Sequence, residues 1–83
     1  MITKHVLITG GAGFIGCNAA RYFGQRNWQV TVLDNLSRTG TESNLTWLRD
    51  ETEFEFAKVD VRDTAAVNRT ISELKPDAVI HLA

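Results

Sequence analysis

A second cysteine is missing from this sequence: Cys17 stands alone. An internal disulfide is therefore excluded, and a reducing cytoplasmic setting fits. An excess of positive charge is missing too. Nine Lys and Arg against ten Asp and Glu leave a formal net charge of −1. That provides no basic field for nucleic acid or an anionic membrane. No apolar run approaches the length of a membrane span. The run Met1 to Thr9 carries one lysine and is too short for a signal peptide, so it reads as a first strand. No His, Cys, Asp or Glu cluster has metal-ligand spacing. Internal repeats, low-complexity segments and linkers are absent. The 83 residues allow at most one small domain, which buries only about 60–65 % of its unfolded surface.

What the sequence does hold is a glycine turn in a specific place. Thr9 to Gly16 read T-G-G-A-G-F-I-G. Gly11, Gly13 and Gly16 satisfy G-x-G-x-x-G, and Gly10, Gly13 and Gly16 satisfy G-x-x-G-x-x-G. Such glycines make a tight turn off a strand, let backbone approach a pyrophosphate, and let a helix pack closely on a sheet. A helix N-terminus then offers free N–H groups to the phosphates. A plain strand-to-helix turn is the alternative, and the context speaks against it. Lys4 to Thr9 ends in a compact β-branched and apolar run, as a buried parallel strand should. Phe14, Ile15, Ala19, Tyr22 and Phe23 follow at helical spacing, which predicts one buried face. A second strand, Gln29 to Leu33, ends in Asp34, about 20 residues past the last glycine. A carboxylate there is placed for the adenosine ribose hydroxyls.

The remaining order is regular. Asn27 is a left-handed stop after the first helix, Phe14 to Gln25. Asn35 to Thr41 is a polar loop, and Glu42 to Arg49 is a short helix carrying Leu45, Trp47 and Leu48. Glu53 to Val59 alternates with period two, which predicts an edge strand with one wetter face, its apolar residues being Phe54, Phe56 and Val59. Asp63 is an N-cap for a helix with a stripe of Ala66, Val67, Ile71 and Leu74, and Pro76 ends it. A fourth strand runs from Asp77 to Leu82. Alternation of this kind predicts an α/β fold with a parallel sheet and right-handed crossovers, in the order 3-2-1-4. A doubly wound sheet has about six strands. Residues 1–83 are therefore expected to be the first half of a Rossmann-type domain, the N-terminal part of something longer.

These segments resemble the extended short-chain dehydrogenase/reductase superfamily. The match rests on T-G-G-A-G-F-I-G-C-N, V-L-D-N-L-S-R, V-D-V-R-D and V-I-H-L-A. Within the superfamily they are similar to the NAD-dependent nucleotide-sugar epimerases and dehydratases. Asp34 to Leu48 looks most like the CDP-tyvelose (CDP-paratose) 2-epimerases, although D-N-L-S also occurs in UDP-sugar epimerases. The resemblance implies bound NAD, transient hydride transfer, a CDP-hexose substrate and a homo-oligomer in the cytoplasm. It implies that Gly10, Gly13 and Gly16 form the pyrophosphate turn, with Phe14 and Ile15 donating backbone N–H groups. Asp34 would hold the ribose, with Asn35, Ser37 and Arg38 around it. Asp60 and Val61 would meet adenine, and Leu82 and Ala83 would underlie the ribose and pyrophosphate.

Two departures from the pattern are Cys17 in place of Ser and Ala19 in place of Leu. The family's catalytic Ser/Thr and Tyr-x-x-x-Lys have no counterpart here. Tyr22 is the sole tyrosine, with Arg26 four positions on, so no catalytic residue is assigned and these residues alone are expected to be inactive. A dehydratase or 4-epimerase acting on a UDP- or dTDP-sugar shares the fold, as does a non-catalytic NAD(P) sensor. A methyltransferase also pairs a glycine turn with a strand-end acid, but Gly16 extends the motif as pyrophosphate binding needs. His81 is expected to pack rather than catalyse, and His5 to lie on the surface of the first strand. Cys17 is expected to be a small buried residue, with modest thiolate character open to it at a helix N-terminus. Arg38 either stacks on adenine or pairs with a 2′-phosphate; Asp34, which would repel that phosphate, favours NAD.

Overall fold

Apolar runs separated by glycine, asparagine and proline stops give seven elements in strict alternation. They are β1 (His5–Thr9), α1 (Phe14–Gly24), β2 (Gln29–Asp34), α2 (Thr41–Glu51), β3 (Glu55–Lys58), α3 (Thr64–Leu74) and β4 (Ala78–His81). This is a computed structural model, and it describes residues 3–83. Met1 and Ile2, part of the N-terminal run, lie outside the described residues. The stops act as local chemistry dictates. Asn27 takes a left-handed φ of 67° after α1, and Lys75 one of 47° just before Pro76. Asp63 caps α3 by accepting from the Ala66 N–H at 3.1 Å.

The four strands form one parallel sheet in the order β3-β2-β1-β4, as the alternation predicts. β1 is central, pairing His5 to Thr9 with Gln29 to Leu33 on one side and Val6 to Thr9 with Ala78 to His81 on the other. β3 is an edge, which its alternating sequence anticipates. Side chains alternate between the two faces of a strand. Val6, Ile8, Val30 and Val32 point to the face covered by α1 and α2, where they meet Cys17, Ala20, Leu45 and Leu48. Leu7 and Leu33, fully buried on the other face, lie beneath the crossover from β3 to β4 that carries α3.

Three expectations need correction. The buried face of α1 is not the one its large residues mark. Phe14 is 78 % exposed, Ile15 69 % and Tyr22 52 %, while Gly16, Cys17 and Ala20 face the sheet. A helix that leaves a tight glycine turn lies too close to the strands for a phenylalanine between them. Small residues fill the contact and the bulky ones turn out. Only Phe23 of the bulky set packs inward in part, edge-on to Trp28 at 5.0 Å. His5 is buried, not a surface residue. Its Nε2 lies 2.8 Å from Thr31 Oγ1, and its backbone is paired with Asp77 on β4's approach. The α3 stripe, expected to be buried, is not: Ala66, Val67 and Leu74 are half-buried and Ile71 is exposed.

Candidate functional site

In a parallel sheet every strand ends at the same edge, so the loops after β1, β2, β3 and β4 converge there. They enclose a cavity of about 310 Å³. Its wall holds Gly10, Gly13, Asp34, Asn35, Ser37, Arg38, Asp60, Val61, Leu82 and Ala83, all singled out from sequence, and also Thr41 and Arg62. Phe14, Ile15 and Gly16 do not line it; they form the first turn of α1 immediately behind Gly13. Their N–H groups precede the first intrahelical bond, from Cys17 N–H to the Gly13 carbonyl at 2.9 Å. A wider hollow of about 910 Å³ lies at the opposite end of the strands, around Trp28, Arg49, Thr52 and Phe54. Neither the glycine turn nor a helix N-terminus reaches it.

The turn's glycines serve different purposes. Gly10 has φ +70°, and a Cβ there would meet Ala83 N and Leu82 C at 2.9 Å. A Cβ at residue 16 would run into the Gly10 carbonyl oxygen and approach Gly11 Cα to 2.7 Å. Both are demands of the fold itself. Gly13 is different. Its φ of −73° and ψ of 170° suit any residue. A Cβ there would meet only the Gly10 carbonyl oxygen, at 3.3 Å, and would otherwise project into open space.

Asp34 closes the other side of the turn. Its Oδ2 accepts from the Ala12 N–H at 3.1 Å and its Oδ1 from the Leu36 N–H at 2.8 Å. The carboxylate thereby shapes both the glycine turn and the β2–α2 loop, and it still borders the cavity with spare lone pairs. Asn35 makes a similar local turn by accepting from the Ser37 N–H at 3.1 Å. Asp60 is held by Arg62 in a two-pronged pair, Nε to Oδ1 at 3.1 Å and Nη2 to Oδ2 at 2.7 Å. Those bonds, with the Arg62 backbone N–H, hold the Asp60 carboxyl well below the usual carboxylate range, so it stays charged. Sequence reasoning passed over Arg62, although V-D-V-R-D places it two residues beyond Asp60.

His81 does not line the cavity, and it is exposed rather than packed as expected. Its Nδ1 lies 2.6 Å from Thr9 Oγ1, which also accepts from the Leu82 N–H at 3.2 Å. That pairing ties the end of β4 to β1, under the turn. Cys17 is buried, and its thiol donates to the Phe14 carbonyl at 3.3 Å. Burial pushes the thiol pKa up, against the thiolate character that a helix N-terminus left open. An acid whose pKa is raised by folding binds its proton more tightly in the native state. Stability therefore falls as pH rises past the ordinary thiol range. Iodoacetamide at pH 8 should label Cys17 at least ~100-fold more slowly in the native protein than in urea. Equal rates, read by mass spectrometry, would contradict this burial.

Among the described residues, no group of three His, Cys, Asp or Glu is placed to hold a metal ion. Nor is any helix among them long and apolar enough to cross a membrane.

Comparison with known proteins agrees with this geometry. The NAD dependent epimerase/dehydratase family matches residues 6–83. The CDP-paratose 2-epimerase of Salmonella typhi is 44 % identical over 78 residues, covering 94 % of this chain and 23 % of that protein. The dTDP-glucose 4,6-dehydratase of Neisseria gonorrhoeae is 41 % identical over 81 residues, covering 96 % and 23 %. The solved UDP-Glc/GlcNAc 4-epimerase of Campylobacter jejuni superposes with a TM-score of 0.87 at 35 % identity, covering 96 % of this chain and 24 % of that one. The chain thus spans about a quarter of the length of each.

Proposed function

The chain belongs to the NAD dependent epimerase/dehydratase family, and from that premise we propose that residues 1–83 are the N-terminal, adenosine- and pyrophosphate-holding part of an NAD-dependent nucleotide-sugar epimerase. One observation carries the reading. Gly13 faces the cavity, and nothing in the fold requires its Cβ to be missing. Backbone at that point is free to lie close against an anionic group such as a pyrophosphate, near the first N–H groups of α1.

The other roles follow from position. Asp34 borders the cavity where ribose hydroxyls would donate to its remaining lone pairs. Asn35, Ser37 and Arg38 line the same wall, as do Asp60 and Val61, which would meet adenine. Leu82 and Ala83 also line the cavity and would lie beneath ribose and pyrophosphate. NAD, when bound, supplies a reversible hydride acceptor, and these residues orient it. The reaction proposed is a 2-epimerisation of a CDP-hexose such as CDP-paratose. It is supported by the Salmonella typhi relative and by Asp34 to Leu48. A 4,6-dehydratase of a dTDP-sugar is the second reading, on the nearly equal identity of the gonococcal relative. No described residue takes the Tyr-x-x-x-Lys role. Tyr22 is an outward-facing residue with the Arg26 guanidinium stacked 3.6 Å from its ring centre. Catalysis, a homo-oligomeric state and a cytoplasmic location are proposed for the whole enzyme; residues 1–83 alone are proposed to be inactive.

Cofactor choice tests the reading. A 2′-phosphate would sit against the Asp34 carboxylate, so NAD should bind at least ~10-fold more tightly than NADP, about 1.4 kcal/mol. Asp34→Ala should weaken NAD by about 1–3 kcal/mol, through unpaired ribose hydroxyls and a loosened turn. Equal or tighter NADP binding by the unmutated protein in a calorimetric titration would defeat the assignment.

A further inference from the structure

The peptide that presents Gly13 to the cavity is fixed at both of its polar ends. On one side the Gly13 N–H donates to the Gly10 carbonyl at 3.1 Å. On the other the Ala12 carbonyl accepts from Asn44 Nδ2 at 2.8 Å. Asn44 is 32 positions away in sequence and is the fourth residue of α2, at the close of its first turn. The preceding peptide is held as well, since the Ala12 N–H donates to Asp34. Ala12 itself is fully buried. Without Asn44 its carbonyl would lose the one side-chain donor that reaches it among the described residues, in a place sealed from water.

Asn44 is itself held rigidly. Its backbone N–H donates to the Gly40 carbonyl at 3.0 Å, and its neighbours Leu45 and Leu48 anchor α2 in the core. We propose that Asn44 is a positioning residue: it sets the orientation of the Ala12–Gly13 peptide and so aims the N–H groups at the start of α1. The inference rests on the pyrophosphate reading of that turn. Through this bond α2, whose N-terminal loop forms the adenosine side of the cavity, governs the geometry of the phosphate side.

Asn44→Asp is the informative change. It keeps the size but turns a donor into a carboxylate oxygen facing the Ala12 carbonyl. A carboxylate near the start of a helix is well tolerated, so the fold should survive. In the ligand-free variant, amide exchange at Ala12 and Gly13, whose N–H groups are bonded to Asp34 and to the Gly10 carbonyl, should quicken about tenfold. NAD affinity should fall about tenfold or more. Asn44→Ala should move both in the same direction by less, and the exposed Asn68→Asp should move neither. Unchanged exchange at the turn in both Asn44 variants would overturn the proposal. So would exchange that rises uniformly across the sheet, because Asn44 would then be serving only global stability. If the unmutated protein bound no NAD, the functional reading would fail, and the exchange measurement would still decide what Asn44 does.

Discussion

Gly13→Val should abolish NAD binding while the protein remains folded. Valine prefers extended backbone, and Gly13 has that conformation with φ −73° and ψ 170°. Its Cβ would sit 3.3 Å from the Gly10 carbonyl oxygen, a contact relieved by a shift of a few tenths of an ångström. The two methyl groups would fill the space above the turn. A pyrophosphate would lose both its contact with the backbone and its hydrogen bonds to α1. The expected loss of affinity is ~100-fold or more, about 2.7 kcal/mol. Circular dichroism should be unchanged and the melting temperature should move by no more than roughly 5 °C. Retained affinity would make the turn a purely structural device and remove the main support for a nucleotide site.

The turn, the acid at the end of β2 and the strand order are legible in the sequence because each depends on local chemistry. Gly10 is read correctly as a turn glycine because φ +70° is open to few other residues. Asp63, Asn27 and Pro76 mark their stops through their own backbone preferences. The failures share a different cause. Phe14 and Ile15 look like a buried stripe because periodicity counts apolar residues. It does not measure the distance between helix and sheet, and here that distance admits only Gly16, Cys17 and Ala20. His5 looks like a polar surface residue because its partner Thr31 lies on the neighbouring strand, 26 positions on. Asn44 and Arg62 are ordinary polar residues until the fold brings one under Ala12 and shows the other gripping Asp60. Spacing within one element is written in the sequence, whereas a contact between elements exists only once they pack.

Gly16 gives the opposite outcome to Gly13, and the pair separates fold from function within one motif. Gly16→Ala adds a single methyl on the face of α1 that lies against the turn. That methyl would collide with the Gly10 carbonyl oxygen and stand 2.7 Å from Gly11 Cα. Both obstacles are backbone, so no side-chain rotation relieves them. Gly10 cannot yield easily, because its N–H is bonded to the Leu33 carbonyl at 2.8 Å and its Cα is packed against Leu82 and Ala83. The helix must lift from the sheet, parting Cys17 and Ala20 from Val6, Ile8, Val30 and Val32. Overpacking of this kind costs about 1–3 kcal/mol and more where backbone must move. A domain of this size has roughly 4–12 kcal/mol of stability in all. The melting temperature should therefore fall by about 10 °C or more. Gly13→Ala, measured alongside, should fall by only a few degrees. A Gly16→Ala protein that melts like the unmutated one would mean that α1 does not lie as close to the turn as this packing requires. The distinction between a fold glycine and a ligand glycine would then be lost.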